Sequence, residues 1–325
     1  MKIWLTDSEL AALPASGPAF DVVKKKANSS WGTADIHDSN YVHNIGTLAG
    51  ALYAAKTGDG AMRNKTAAAL KAVVGTEAGA QEGGNEPTLA VSRKLASYVV
   101  AADVLGYTDA GFQAWLRALV SKNLADGRSV ISAHADRGNN WGTMAGQSRV
   151  AVALYLGTPD LATAIKVHRG WLGDRAQYAG FKWGSLEWQS DKAHPVGINP
   201  KGATLSVSGA VRNVDGVQPD DQRRTEFKWP APHGNYPWGS LGAALVTTEL
   251  LRRAGQPSRD WSDGAILRAC RWLYDVNGNP PDGDDCWQPS LLSFLYSGTF
   301  SAGNQVTGKN MAYTQWTHGG RKAGG

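Results

Sequence analysis

Four junctions along the chain share one pattern, and they constrain the fold more than any other feature. Thr57-Gly58-Asp59, Leu105-Gly106-Tyr107-Thr108-Asp109, Leu156-Gly157-Thr158-Pro159-Asp160 and Ala254-Gly255-Gln256-Pro257-Ser258 each join a glycine that ends a helix to an Asp or Ser that starts the next. Their glycines stand 48, 51 and 98 residues apart, the last spacing close to twice the others. This is a degenerate repeat of about 49 residues, one helical hairpin to a unit. Apolar residues at three-to-four spacing predict helices over 43–57, 61–74, 88–105, 110–123, 141–156, 160–172, 238–254, 263–275 and 287–296. The expected fold is therefore all-α, with about six or seven hairpins. Stacked hairpins build either an open solenoid or a closed (α/α) toroid or barrel. A solenoid keeps short, regular turns, whereas residues 178–235 form a long insertion rich in Gly, Pro, Trp and charge. That insertion favours the toroid, with 178–235 walling a cleft on one rim, because long ordered loops usually serve function. One domain is expected over residues 1–318, with a linker-like tail at 319–325.

The chain of 325 residues is long enough to bury a large core without disulfides or metals. No stretch reaches the roughly 18 apolar residues of a membrane helix, so no membrane partner is expected. Cys270 and Cys286 are too few for a disulfide framework and are expected as buried thiols. The net charge of +5 raises the local concentration of anionic partners. Nucleic acid is not the partner expected: Lys24-Lys25-Lys26 is the only basic cluster, and no nucleic-acid motif accompanies it. The 13 tryptophans offer flat faces that stack on sugar rings as well as in a core. An acidic polysaccharide satisfies both the charge and the aromatics.

Polar residues ill suited to plain packing concentrate in four places. The first is His134-Ala135-Asp136-Arg137-Gly138-Asn139-Asn140-Trp141-Gly142, directly before an apolar helix. An Asn pair there sets amide donors beside free backbone N–H groups, which suits a carboxylate; the plain alternative is an N-cap. The second runs from Asp215 to Arg224 and on through His233-Gly234-Asn235-Tyr236 at the mouth of the next helix. Arg223 or Arg224 can grip a carboxylate bidentately. A Tyr beside such cations can act as a base; the alternative is a salt-bridged surface loop. The third, Glu187-Trp188 with Trp183, is a candidate sugar platform, and the fourth spans Lys309 to His318. HExxH, CxxC, a phosphate-binding glycine loop and GxSxG are all absent, so neither metal nor cofactor is expected.

In their order along the chain, Asn139-Asn140-Trp141-Gly142 and the Asp215…Arg223-Arg224…Tyr236 segment resemble the alginate lyase superfamily of polysaccharide lyases, over roughly residues 35–318. Within it the chain looks closest to bacterial lyases of glucuronan (cellouronate), a β-1,4-linked polyuronide. The resemblance implies an (α/α) toroid and metal-independent β-elimination. It implies Asn140 as the carboxylate-neutralising residue, Tyr236 as base and acid, and Arg224, or else Arg223, as the arginine beside it. Mannuronate-specific relatives carry a His directly after the Asn, where this chain has Trp141. The imidazole is then expected from His134 first and His233 second. Asn139, Arg137, Arg93, Trp141 and Trp188 complete the expected substrate-binding set. A polymer substrate implies a secreted or periplasmic protein, yet Asp7 and Glu9 stand where a leader would be apolar.

Two rivals are weighed against the lyase. A glycoside hydrolase on the same fold would use two carboxylates, from Asp220 or Asp221 with Glu187 or Asp136. A non-catalytic helical module would bind anionic glycans through Trp and Arg, without dependence on Tyr236.

Overall fold

Two of the four repeat junctions behave in full as their residue types dictate. At the third, Asp160 lies inside its helix behind Pro159. At the fourth, Ala254 ends one helix and Asp260, not Ser258, precedes the next, because Ser258 bonds Thr248 O instead. The structure, a computed structural model, describes residues 2–38, 40–78, 86–301 and 310–324. Gly58, Gly106 and Gly157 cap their helices in the left-handed region, at φ of 74°, 68° and 64°, where a side chain would be strained. Asp59 and Asp109 cap the helices that follow, each carboxylate accepting from a backbone N–H three residues on.

The chain is all-α, and helices form at every segment where the apolar spacing predicts one. They are α1 (Asp7–Ala12), α2 (Pro18–Ala27), α3 (His43–Thr57), α4 (Gly60–Ala72), α5 (Pro87–Leu105), α6 (Ala110–Leu119) and α7 (Val130–Asp136). They continue as α8 (Asn140–Leu156), α9 (Asp160–Leu172), α10 (Pro219–Gln222), α11 (Tyr236–Arg253), α12 (Trp261–Arg271), α13 (Gln288–Tyr296) and α14 (Thr314–Thr317). The insertion at 178–235 adds one short antiparallel hairpin, β1 (Thr204–Val207) with β2 (Ala210–Asn213), besides α10. Helices α1, α7, α10 and α14 are too short for periodicity to stand out, while α2, as long as α6, lies outside the predicted segments.

Two kinds of helix make two layers. Helices α3, α5, α8 and α11 are buried nearly all round; α4, α6, α9 and α12 bury a single stripe. The buried helices pack in sequence, α3 on α5, α5 on α8 and α8 on α11. The circuit then runs from α11 to α13, α14 and α2, and returns to α3. Side chains tie the return: Trp316 Nε1 donates to Pro14 O at 2.9 Å and Tyr313 Oη to Ile45 O at 3.0 Å.

The described part of the tail, expected as a linker, is tied back onto the fold. Arg321 Nη2 donates to Glu9 at 2.6 Å and Ala323 N to Phe294 O at 2.9 Å. Cys270 and Cys286 are both buried thiols. Among the described residues, no helix is long and apolar enough to cross a membrane.

Candidate active site

The start of α8 is anchored from several sides. Asn139 caps the helix, its Oδ1 accepting from Trp141 N at 3.2 Å. Asn140 opens the helix, and its backbone N–H is met by the Asp221 carboxyl at 3.0 Å. Trp171 Nε1 donates to Gly138 O at 2.9 Å, and the half-buried Trp183 ring covers the Gly138 α-carbon. Gly142 lies against the Arg137 carbonyl so closely that a Cβ there would stand 1.9 Å from the oxygen. With their backbones fixed, Asn139 and Asn140 present their side chains at the edge of an open cleft.

That cleft comprises two adjoining hollows of about 440 and 520 Å³, which share Arg93, Asn140 and Tyr236. One hollow adds Arg137, Asn139, Trp141, Arg223 and Arg224. The other adds Asp282, Asp284, Asp285 and Asn310. Trp141 rests on a small apolar cluster of Leu89, Met144 and Ala243, so one ring face is braced. The Arg137 guanidinium stands 5.0 Å from that ring, a cation–π contact that aims it along the cleft.

Tyr236 is the first residue of α11 and is 39% exposed. Arg224 Nη2 donates to its phenolic oxygen at 3.0 Å, and the guanidinium lies 4.4 Å from the ring centre. Arg223 is held differently: its Nε donates to the buried Asp220 at 2.5 Å, and its guanidinium lies flat on Gly184, where a Cβ would stand 2.2 Å away. Asp220 also accepts from Gly184 N at 2.8 Å. The short helix α10 therefore positions both arginines.

Of the residues expected at the site, Arg93, Arg137, Asn139, Asn140, Trp141, Arg223, Arg224 and Tyr236 meet in this cleft. Three do not. His134 is buried on α7 behind α8, its ring over Gly146 and its Nδ1 3.5 Å from Arg149. Burial, with Arg149 and His168 beside it, holds that imidazole well below its ordinary pKa. Trp188 is fully buried, edge-on to Phe227 at 5.0 Å, and is core of the insertion instead of a platform. His233 is exposed and bonded to Asn277 O at 2.9 Å, outside the cleft lining. The spacing placed all three near the site in sequence, but the side chains point away.

The carboxylates proposed for a hydrolase fare no better. Asp220 and Asp221 are buried beneath the surface, Asp136 pairs with Lys182 at 2.8 Å, and Glu187 bonds Ser185. None of the four lines the cleft. Sequence reasoning missed the Asp282–Asp285 wall, because Asp282-Gly283-Asp284-Asp285 reads as an ordinary polar turn; the fourth polar place, Lys309 to His318, reaches the cleft through Asn310, while Lys309 lies outside the described residues.

Residues 40–183 match the family model described as alginate lyase. The chain is a polysaccharide lyase. The match supports placement in the alginate lyase superfamily and an acidic polysaccharide as substrate. It spans α3 to α9 and includes Arg93, Arg137, Asn139, Asn140 and Trp141 of the lyase. Arg223, Arg224 and Tyr236 follow it in the chain and line the same cleft. No curated protein matches the chain.

Proposed function

We propose that the lyase cleaves a β-1,4-linked polyuronide, glucuronan before polymannuronate, by metal-independent β-elimination within one toroidal domain over residues 1–318. The observation that carries this reading is the Arg224–Tyr236 bond in the cleft that Asn140 also lines.

The C5 proton of a uronate is scarcely acidic while the neighbouring carboxylate keeps its full charge. The Asn140 amide and the guanidiniums of Arg137, Arg223 and Arg224 supply donors that neutralise that charge and stabilise the enolate-like transition state. The Tyr236 oxygen takes the C5 proton, the C4–C5 double bond forms, and the C4–O4 bond breaks. In glucuronan and polymannuronate the C5 proton and O4 lie on one face, so Tyr236 can return its proton to the departing O4. With His134 and His233 off the cleft, arginines take the part expected of an imidazole. Trp141 in place of the His of mannuronate-specific relatives supports glucuronan. Closure of the helix circuit supports the toroid, and a polymer substrate supports a secreted or periplasmic location.

The test follows ultraviolet absorbance of the unsaturated product on glucuronan, polymannuronate and polyguluronate, with EDTA present. Wild type is expected to respond most on glucuronan and Tyr236→Phe not at all. New reducing ends without absorbance would return the hydrolase; binding with neither signal would leave the glycan-binding module.

A further inference from the structure

We infer that Asp221 is a positioning residue of this lyase, a buried carboxylic acid that fixes Asn140 relative to the helix of Tyr236; this rests on the lyase mechanism proposed above. Asp221 is only 1% exposed and sits where three elements converge. From α10, its Oδ1 accepts the Asn140 N–H of α8 at 3.0 Å. On α11, one turn beyond Tyr236, the Ser240 hydroxyl lies beside the same carboxyl, whose Oδ2 is left without a hydrogen bond, and stands 3.3 Å from Thr143 Oγ1 of α8. The residue before it, Asp220, holds Arg223. One dipeptide thus sets the neutralising amide and a neighbouring guanidinium.

The chemistry explains why the group is an acid kept neutral. Burial, reinforced by Asp220, pushes the Asp221 carboxyl up to about 8, while the Asn140 N–H and the Arg223 cation pull it down. The ionisable groups facing it are Asp220 of α10 and Arg223 directly after that helix; α8 offers the Asn140 N–H, and α11 offers Ser240. A protonated acid accepts the Asn140 N–H without setting a negative charge behind the amide that must attract a uronate carboxylate. Ionisation would place that charge in a low-dielectric site, where it opposes substrate charge most strongly.

Two variants test this, with kcat and KM on the responding polyuronide and thermal midpoints from about pH 5 to about pH 9. Asp221→Asn keeps a neutral acceptor: kcat stays within about threefold of wild type at pH 7, and the variant-to-wild-type ratio climbs above pH 8. Asp221→Ala removes the acceptor: kcat falls by about 10–100-fold with KM changed less than about threefold, as misplacement of a reacting group does. Equal losses in both variants, or an Asp221→Ala enzyme with wild-type kcat, would overturn the inference. The midpoint needs no substrate. A raised carboxyl pKa makes wild type lose stability as pH rises from 3.8 towards 8, so the midpoint of Asp221→Asn minus that of wild type grows over this range. A flat difference overturns the neutral acid. A wild type silent on every polyuronide overturns the proposed function and leaves the midpoint comparison to decide the state of Asp221.

Discussion

The cleft and the seam where the chain ends meet are both rich in arginine, yet they use it in opposite ways. At the seam every guanidinium has a carboxylate. Glu9 accepts from Arg253 at 2.7 and 2.9 Å and from Arg321 at 2.6 Å. Glu249, fully buried, accepts from Arg252 at 2.8 and 3.0 Å and from Arg253 at 2.5 Å. His318 packs beside them between Trp4 and Phe294. In the cleft, among the described residues, Arg93, Arg137 and Arg224 make no ion pair. Arg93 Nε and Arg137 Nε are buried without a hydrogen bond. The seam satisfies its charges internally and fastens the fold; the cleft faces Arg93 with Asp284 and Asp285 at a distance and leaves Arg137 and Arg224 for a polyanion to satisfy. Arg93 and Arg137 are half-buried and Arg224 is exposed, so leaving them without ion pairs costs the fold a little stability in exchange for binding.

The contrast breaks if cleft variants unfold the protein or seam variants abolish chemistry. Tyr236→Phe is expected to lower kcat by about 10²–10⁴-fold, the range for losing a general acid–base group. Its thermal stability should stay within about 0.5 kcal/mol, as for a surface change. Glu249→Gln should destabilise by about 1–3 kcal/mol, because the half-buried Arg252 loses its carboxylate while Arg253 keeps Glu9; denaturant titration reads this, and kcat of the folded fraction should hold. Asn140→Ala should cost about 10²–10³-fold in kcat, comparable to loss of an oxyanion donor, with the Asp221 bond to the backbone N–H retained.

Acid separates the two regions further. Burial alone would raise the Glu249 carboxyl, but His318 and the two arginines outweigh it and hold it down at about 2. The Glu9 carboxyl is likewise held well below its ordinary value, burial again outweighed by Arg253, the Thr6 N–H and Arg321. Both contributions are fully present above about pH 4.5 and are lost as pH falls through the folded values. Midpoints should therefore drop between pH 4.5 and 2, and by less in Glu249→Gln, whose seam lacks one of the titrating groups. The smallest effect is salt: KM for the polymer should rise with ionic strength as the cleft cations are screened, while the buried seam is screened much less.

The helical architecture was legible because its signals are local. A glycine at a helix end and an Asp at the next start act over a few residues, and the structure keeps them at Gly58-Asp59 and Gly106…Asp109. The cleft residues were legible where backbone and side chain agree, as at Asn139, Asn140 and Tyr236, which stand at helix starts that face the cleft. His134 and Trp188 were not, since a residue's neighbours in sequence do not say which way its side chain points. His134 sits on the face of α7 that packs over Gly146, and that face is set by α8, not by the loop.

The sequence by itself determined the repeat, the helices and the chemical inventory of the site, because capping and periodicity are properties of short segments. Tertiary structure decided which members of that inventory meet. Asp221 reached Asn140 from 81 residues away, Arg224 closed on Tyr236, and Arg93 arrived from α5 by packing against α8. Those distances are fixed by long-range burial of whole helices, which no local pattern encodes.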